Sequence, residues 1–259
     1  MYLNYKGVNT YYTDSGKGSA VVLLHGFLES STMWNPFIAS LSKKNRVITI
    51  DLLGHGKTGC LGYVHSMELM AETVEAVLKH LEIEQSIFIG HSMGGYVALA
   101  FAEKHPNAIN GLCLMNSTAL NDTAEKKKNR DRAIIAVKQN HNIFIRLAIA
   151  NLFSPKNRTS LSEDIKTVIQ EAQKTPLQGI VAALEGMKVR KNRMNLLQNT
   201  AYKKLIILGK NDPVLNADHL VAQLKNTPIE CIEFPDGHMS HIENKDKFLH
   251  SIMYFIEKL

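Results

Sequence analysis

The chain has 259 residues, 45% of them apolar and 21% charged, the composition of one large α/β domain or two small ones, which excludes an extended disordered protein. Its formal net charge is +6, but residues 121–200 alone hold fifteen Lys/Arg against seven Asp/Glu, so the rest of the chain is net acidic and a general nucleic-acid-binding surface is excluded. The N-terminus turns polar at once, no apolar run reaches the roughly 18–20 residues of a membrane span, and Cys60, Cys113 and Cys231 are too dispersed for a disulfide framework or a zinc motif. We therefore expect a cytoplasmic protein without membrane, metal or organic cofactor.

In chain order, residues 2–5 and 9–12 around Gly7 read as an antiparallel hairpin at a sheet edge. Short apolar runs follow at 20–24 (AVVLL), 46–50 (RVITI), 86–89 (SIFI), 111–115 (GLCLM), 205–208 (LIIL) and 231–234 (CIEF). Continuous β-branched runs suit strands buried on both faces of a parallel sheet. Helical patterns separate them near 33–41, 67–81, 93–104, 217–225 and 245–258. The alternation predicts a mostly parallel, doubly wound sheet of about eight strands with helices on both faces. It breaks at 118–200, which has helical periodicity and no strand. The expected organisation is a core of 1–117 and 201–259, with 118–200 inserted as its own helical layer.

The stretch GHSMGG places Ser92 where the run at 86–89 becomes a helix. In a strand–nucleophile–helix turn, the positions two before and two after the serine must be small, and Gly90 and Gly94 fill them. The motif lacks the Lys-Ser/Thr ending of a phosphate-binding loop, but alone it does not separate a nucleophile from an inert glycine-rich turn. A serine nucleophile needs a base and an oxyanion hole. The loop after 20–24 is His25-Gly26-Phe27, whose Phe27 amide is a candidate donor, with Met93 as the second. Asp212 and His238 lie just beyond 205–208 and 231–234, on the rim that carries Ser92, in the order Ser, Asp, His. His25, His91 and His241 are candidates for the pocket or its rim, the His25 imidazole being best read as bonding its own loop.

DSGKG, HGF, DLLGHGKT, GHSMGG, GKNDPV and GHMSHIEN together resemble the α/β-hydrolase fold superfamily, in particular its compact serine esterases, cofactor-free haloperoxidases and related small hydrolases and lyases. The resemblance implies Ser92 as nucleophile, Asp212 as acid, His238 as base, the Phe27 and Met93 amides as oxyanion hole, and 118–200 as a cap. It implies structural roles for Asp51 and Gly54. His238 follows a glycine and precedes Glu243 by five, as in relatives, which leaves His241 to support the rim. Branches with an aspartate nucleophile are disfavoured. Some relatives place the acid after the preceding strand, where this chain has Asn116-Ser117. The implied function is hydrolysis of an ester or similar acyl bond of a small molecule. A lyase or C–C bond hydrolase on the same triad, or a non-enzymatic binding protein on the same fold, are the alternatives. The basic clusters at 125–132 and 188–193 read as solvated surface, or as attraction for an acidic substrate or an acidic partner such as an acyl carrier protein.

Overall fold

A computed structural model describes residues 1–259. Strands β1 (Tyr2–Tyr5) and β2 (Val8–Ser15) form the edge hairpin. Lys6 and Gly7 both take positive φ, 50° and 81°, the requirement of a two-residue hairpin turn matched to strand twist. Next come β3 (Ser19–Leu24), β4 (Asn45–Ile50), β5 (Ser86–His91), β6 (Ile109–Met115), β7 (Lys203–Gly209) and β8 (Glu230–Phe234). The eight strands lie in the order β1-β2-β4-β3-β5-β6-β7-β8. The β1–β2 and β2–β4 pairs are antiparallel and every later pair is parallel. β2 continues to Ser15, beyond the hairpin read from the sequence, because Thr13, Asp14 and Ser15 pair with Thr49, Ile48 and Val47.

Helices α1 (Asn35–Leu41), α2 (Met67–His80) and α3 (Met93–Lys104) fill the connections up to β6. Alternate residues of each strand feed two cores, as pleating requires. Val22, Leu24, Ile48, Ile50, Phe88, Leu112 and Leu114 face one side, with α2 and α3. Val21, Leu23, Val47, Ile87, Ile89, Cys113 and Met115 face the other, with Trp34, Phe37 and Leu41. Cys113 is thus a small core hydrophobe, and all three cysteines are free thiols.

Between β6 and β7 lie only helices: α4 (Ala124–Gln139), α5 (His141–Leu152), α6 (Ser162–Ala172), α7 (Leu177–Lys188) and α8 (Met194–Asn199), with a short 3-10 turn at Pro155–Asn157. This is the helical cap. Thr123 and Asn140 cap α4 and α5 through side-chain oxygens that accept from the Lys126 and Ile143 amides. The cap is not a separately cored layer. Its inward Ile134, Val137, Ile145, Ile149, Ile180 and Leu184 join the α2–α3 core, and the His65 amide donates to the Ala182 carbonyl of α7 at 2.9 Å. The chain closes with α9 (Ala217–Leu224), α10 (Ser240–Glu243) and α11 (Lys245–Glu257), whose Phe248, Ile252 and Phe255 complete the second core. No helix is long and apolar enough to cross a membrane.

Candidate active site

β5 runs to His91, two residues further than its apolar run, so Ser92 stands directly between strand and α3. Its φ of 48° and ψ of −112° place a non-glycine residue in a sparsely populated region, held only if the surroundings over-determine it. They do. The Ser92 amide donates to the Met115 carbonyl at 2.9 Å, and the Ser117 hydroxyl donates to the Ser92 carbonyl at 2.7 Å. A Cβ on Gly90 would sit 2.5 Å from the Gly95 nitrogen, and one on Gly94 would sit 2.4 Å from the Leu24 carbonyl oxygen. The elbow therefore tolerates no side chain at either place.

Asp212 and His238 follow β7 and β8. Asp212 folds into a turn in which Oδ1 accepts from the Val214 and Leu215 amides at 2.7 and 3.1 Å. Its Oδ2 lies 2.7 Å from His238 Nδ1 and accepts from Asn116 Nδ2 at 3.1 Å. Burial pushes the Asp212 carboxyl up, but the His238 charge and these hydrogen bonds outweigh it and hold the group below the usual carboxylate range. A carboxylate can only accept, so His238 Nδ1 carries a proton and donates it to Asp212, and Nε2 makes no hydrogen bond within the protein. The His238 loop is pinned from outside: Glu243 Oε2 accepts from the Gly237 amide at 2.9 Å, and Glu243 Oε1 from Ser154 and Asn157 of the cap.

Asp212 and His238 are thus joined directly. No hydrogen bond links the Ser92 hydroxyl to His238; the two loops meet through His91, whose Nε2 donates to the His238 carbonyl at 3.1 Å with ring centroids 5.1 Å apart. Catalytic hydrogen bonds are commonly loose before substrate binds. The Phe27 and Met93 amides donate to no protein acceptor. Met93 opens α3, so its amide is one of the helix's unsatisfied donors at the positive end of the dipole.

The other three histidines are buried beneath this rim. His25 Nε2 accepts from the Leu52 amide at 2.9 Å, so its Nδ1 donates to the Gly26 carbonyl at 2.8 Å and the ring is fully used by loop structure. His91 Nδ1 lies 2.6 Å from Glu29 Oε2, which also accepts from the Gly26 amide at 2.7 Å. Facing a carbonyl on one side and a carboxylate on the other, His91 must donate from both nitrogens and is an imidazolium. Burial opposes its charge, but Glu29 raises its pKa. Burial likewise pushes Glu29 up, and the His91 charge overcomes this to hold it at about 2. His241 packs on His91 with centroids 5.2 Å apart and Nε2 3.7 Å from Glu29 Oε1. Burial lowers its pKa to about 3, so it is neutral. Glu29, His91 and His241 offer ligand atoms within 4.8 Å of one another, yet a metal would have to displace the His91 proton from its ion pair, which fits the set poorly. A cavity of about 350 Å³ adjoins this cluster, lined by Glu29, His241, Phe37 and Val168 among others and not by Ser92, Asp212 or His238.

Asp51 behaves as a loop brace, its oxygens accepting from the Ser31 and Lys57 amides at 2.7 and 2.8 Å. His55 is buried, bonded to the Leu53 carbonyl and packed near the Phe27 ring. Sequence reasoning missed two supports. Asn116, noted only as a position where relatives can carry the acid, donates to Asp212 instead. Glu29 has no local signal beyond an acid in a strand-end loop.

A family model described as alpha/beta hydrolase fold matches residues 19–245. A thermophilic esterase from Thermogutta terrifontis superposes with a TM-score of 0.90 at 29% identity, covering 99% of this chain and 96% of that one. The enol-lactonase from Burkholderia xenovorans superposes at 0.91 but shares 22% identity, a likeness of fold. A 3-oxoadipate enol-lactonase of Acinetobacter baylyi is 26% identical over 93% of this chain and 89% of its own length. An uncharacterized protein of Mycobacterium tuberculosis is 35% identical over 44% of this chain; that match spans 35% of the relative's length.

Proposed function

The chain belongs to the α/β-hydrolase fold family, and we propose that it is a serine hydrolase that cleaves an ester or similar acyl bond through an acyl-enzyme on Ser92. The observation that carries this reading is the buried 2.7 Å Asp212–His238 pair beside a serine held at φ 48°. In the proposed cycle His238 Nε2 takes the Ser92 proton as the hydroxyl oxygen attacks the carbonyl carbon. The tetrahedral oxyanion rests on the Phe27 and Met93 amides. His238 returns the proton to the departing alkoxide, and the C–O bond to the leaving group breaks. Water, deprotonated by His238, then attacks the acyl-enzyme and releases the acid with Ser92 restored. Asp212 keeps the imidazole in the required tautomer and stabilises the imidazolium. The esterase and lactonase relatives support an oxygen leaving group, open-chain or cyclic.

The test is labelling with a fluorophosphonate, followed by mass spectrometry of the peptide that contains residue 92, alongside turnover of short para-nitrophenyl esters. A single adduct on Ser92, absent in Ser92→Ala together with turnover, is expected. Turnover that survives Ser92→Ala refutes the acyl-enzyme.

A further inference from the structure

Two strained turns carry candidate reacting groups, and one buried ion pair joins them. Gly26 to Glu29 form a β-turn, the Glu29 amide donating to the Gly26 carbonyl at 3.3 Å, with Phe27 and Leu28 at its centre. Leu28 stands third in the turn with a φ of 63°, a conformation that favours glycine there. Ser92, at φ 48°, is the second strained residue. Glu29 directly follows the first and His91 directly precedes the second. Their side chains meet at 2.6 Å between Oε2 and Nδ1 and are almost fully buried.

Each member of the pair holds a further element. Glu29 Oε2 also accepts from the Gly26 amide at 2.7 Å, which closes the Phe27 turn a second time. His91 Nε2 donates to the His238 carbonyl at 3.1 Å. A Cβ on Gly26 would lie 2.5 Å from Glu29 Oε2 and 2.8 Å from His91 Nδ1, so the pair packs onto the bare backbone of the turn. Three hydrogen bonds therefore form one path, from the turn that presents the Phe27 amide, through the residue before Ser92, to the backbone of His238.

Stability alone does not account for the pair. Removing one partner of a buried ion pair is costly, yet replacing both by apolar side chains of similar volume is often neutral. What charge-assisted hydrogen bonds add is a fixed distance and direction. Strained backbone likewise persists only where its surroundings over-determine it, and here both strained residues are chain neighbours of the pair. We propose that Glu29 and His91 are positioning residues that hold the Phe27 amide and the His238 ring at the separation one tetrahedral intermediate requires. This rests on the acyl-hydrolase reading and adds to it a mechanical link between oxyanion hole and base.

The experiment uses two variants that cut the path and one that lowers stability elsewhere. Glu29→Gln removes the charge that lets His91 donate from both nitrogens. His91→Asn keeps a donor for Glu29 but is too short to reach the His238 carbonyl. Ile252→Ala, a large-to-small change at a fully buried position of the second core, is the control for lost stability. Turnover of a para-nitrophenyl ester is expressed as kcat per Ser92 titrated with a fluorophosphonate, so unfolded protein does not count. Both path variants should fall about 10- to 100-fold, the scale of a roughly 1 Å misplacement of catalytic groups, and Ile252→Ala should keep the wild-type value. Proton NMR supplies a readout independent of turnover: the His238 Nδ1–H, bonded to Asp212 at 2.7 Å, resonates far downfield and should shift in both path variants and stay in Ile252→Ala. A path variant with near-normal kcat per site overturns the proposal. So does an equal fall in Ile252→Ala, which makes the pair merely structural, or a His238 signal that neither path variant moves. If the wild type hydrolyses no ester, the acyl-hydrolase reading has failed on its own, and the His238 signal still decides whether the pair positions that ring.

Discussion

Replacing Glu29 with glutamine should destabilise the protein through His91, with a dependence on pH that identifies the cause. One carboxylate oxygen of Glu29 accepts from both the Gly26 amide and His91 Nδ1, while His91 Nε2 donates to the His238 carbonyl. A glutamine carbonyl can take over those two bonds in shape but brings no charge. His91 then either stays a buried cation without a counter-ion or gives up a proton, and with it the bond to His238. Holding Glu29 at about 2 rather than its ordinary 4.5 corresponds, at roughly 1.4 kcal/mol per factor of ten in proton affinity, to about 3 kcal/mol of stability. That agrees in scale with the roughly 3–5 kcal/mol lost when one partner of a buried pair is removed. For a chain of this size it lowers Tm by roughly 6–12 °C.

The pH window follows from the signs. Glu29 is depressed, so its contribution is complete above 4.5 and disappears as pH falls through about 2. His91 is raised, so its contribution is complete below its unfolded value and fades only as pH rises through the higher folded one. The Tm gap between wild type and Glu29→Gln should thus be full at pH 5–6 and narrow steadily between about pH 4.5 and 3. Scanning calorimetry or circular dichroism melts at half-unit pH steps measure it. A gap that stays constant down to pH 3, or a variant as stable as wild type at pH 6, refutes the ion pair.

Ser92→Ala should reduce kcat by about 10⁴–10⁶ with little change in Tm, read by ester turnover. His238→Ala should fall as far, whereas His241→Ala, a neutral packed ring, should lose stability more than kcat; the reverse ranking in turnover makes His241 the base. Asp212→Asn should fold and lose roughly 10⁴ in kcat, because an amide cannot hold the required tautomer; near-normal kcat would assign the role to another carboxylate. Gly90→Ala should fail to accumulate as folded protein, since its Cβ would lie 2.5 Å from a backbone nitrogen, and a normal melt for it would contradict the tight elbow.

The strand ends were legible because a parallel sheet buries both faces of its strands. AVVLL, SIFI and LIIL announce themselves by unbroken apolar character, and whatever follows them stands on the carboxyl rim. That is why Ser92, Asp212 and His238 could be nominated from one chain. β2 was read short because residues 13–15 are polar and owe their strand to pairing with β4. The cap was visible as helix, but helical periodicity does not say what the apolar face meets, and its merger with the α2–α3 core needed coordinates. Glu29 was invisible for a deeper reason. A carboxylate in a loop is usually hydrated, and only the arrival of His91 from 62 positions away turns it into a buried ion pair.

Charge balance ties these parts together. Beneath the elbow Glu29 and His91 cancel, so Ser92 rests on a neutral, rigid base. Beside it Asp212 is satisfied by His238, Asn116 and two backbone amides, leaving no free acceptor for a stray cation. On the cap side the buried Asp122 carboxylate binds two guanidiniums, Arg130 and Arg190, and leaves one surplus positive charge at that seam. On the proposed reading the groups that react all stand at strand ends of the core, and the cap shapes their surroundings without contributing one of them. A substitution in the cap can then alter those surroundings without moving a strand end, whereas one at Gly90 or Gly94 forces a side chain into the elbow that holds Ser92.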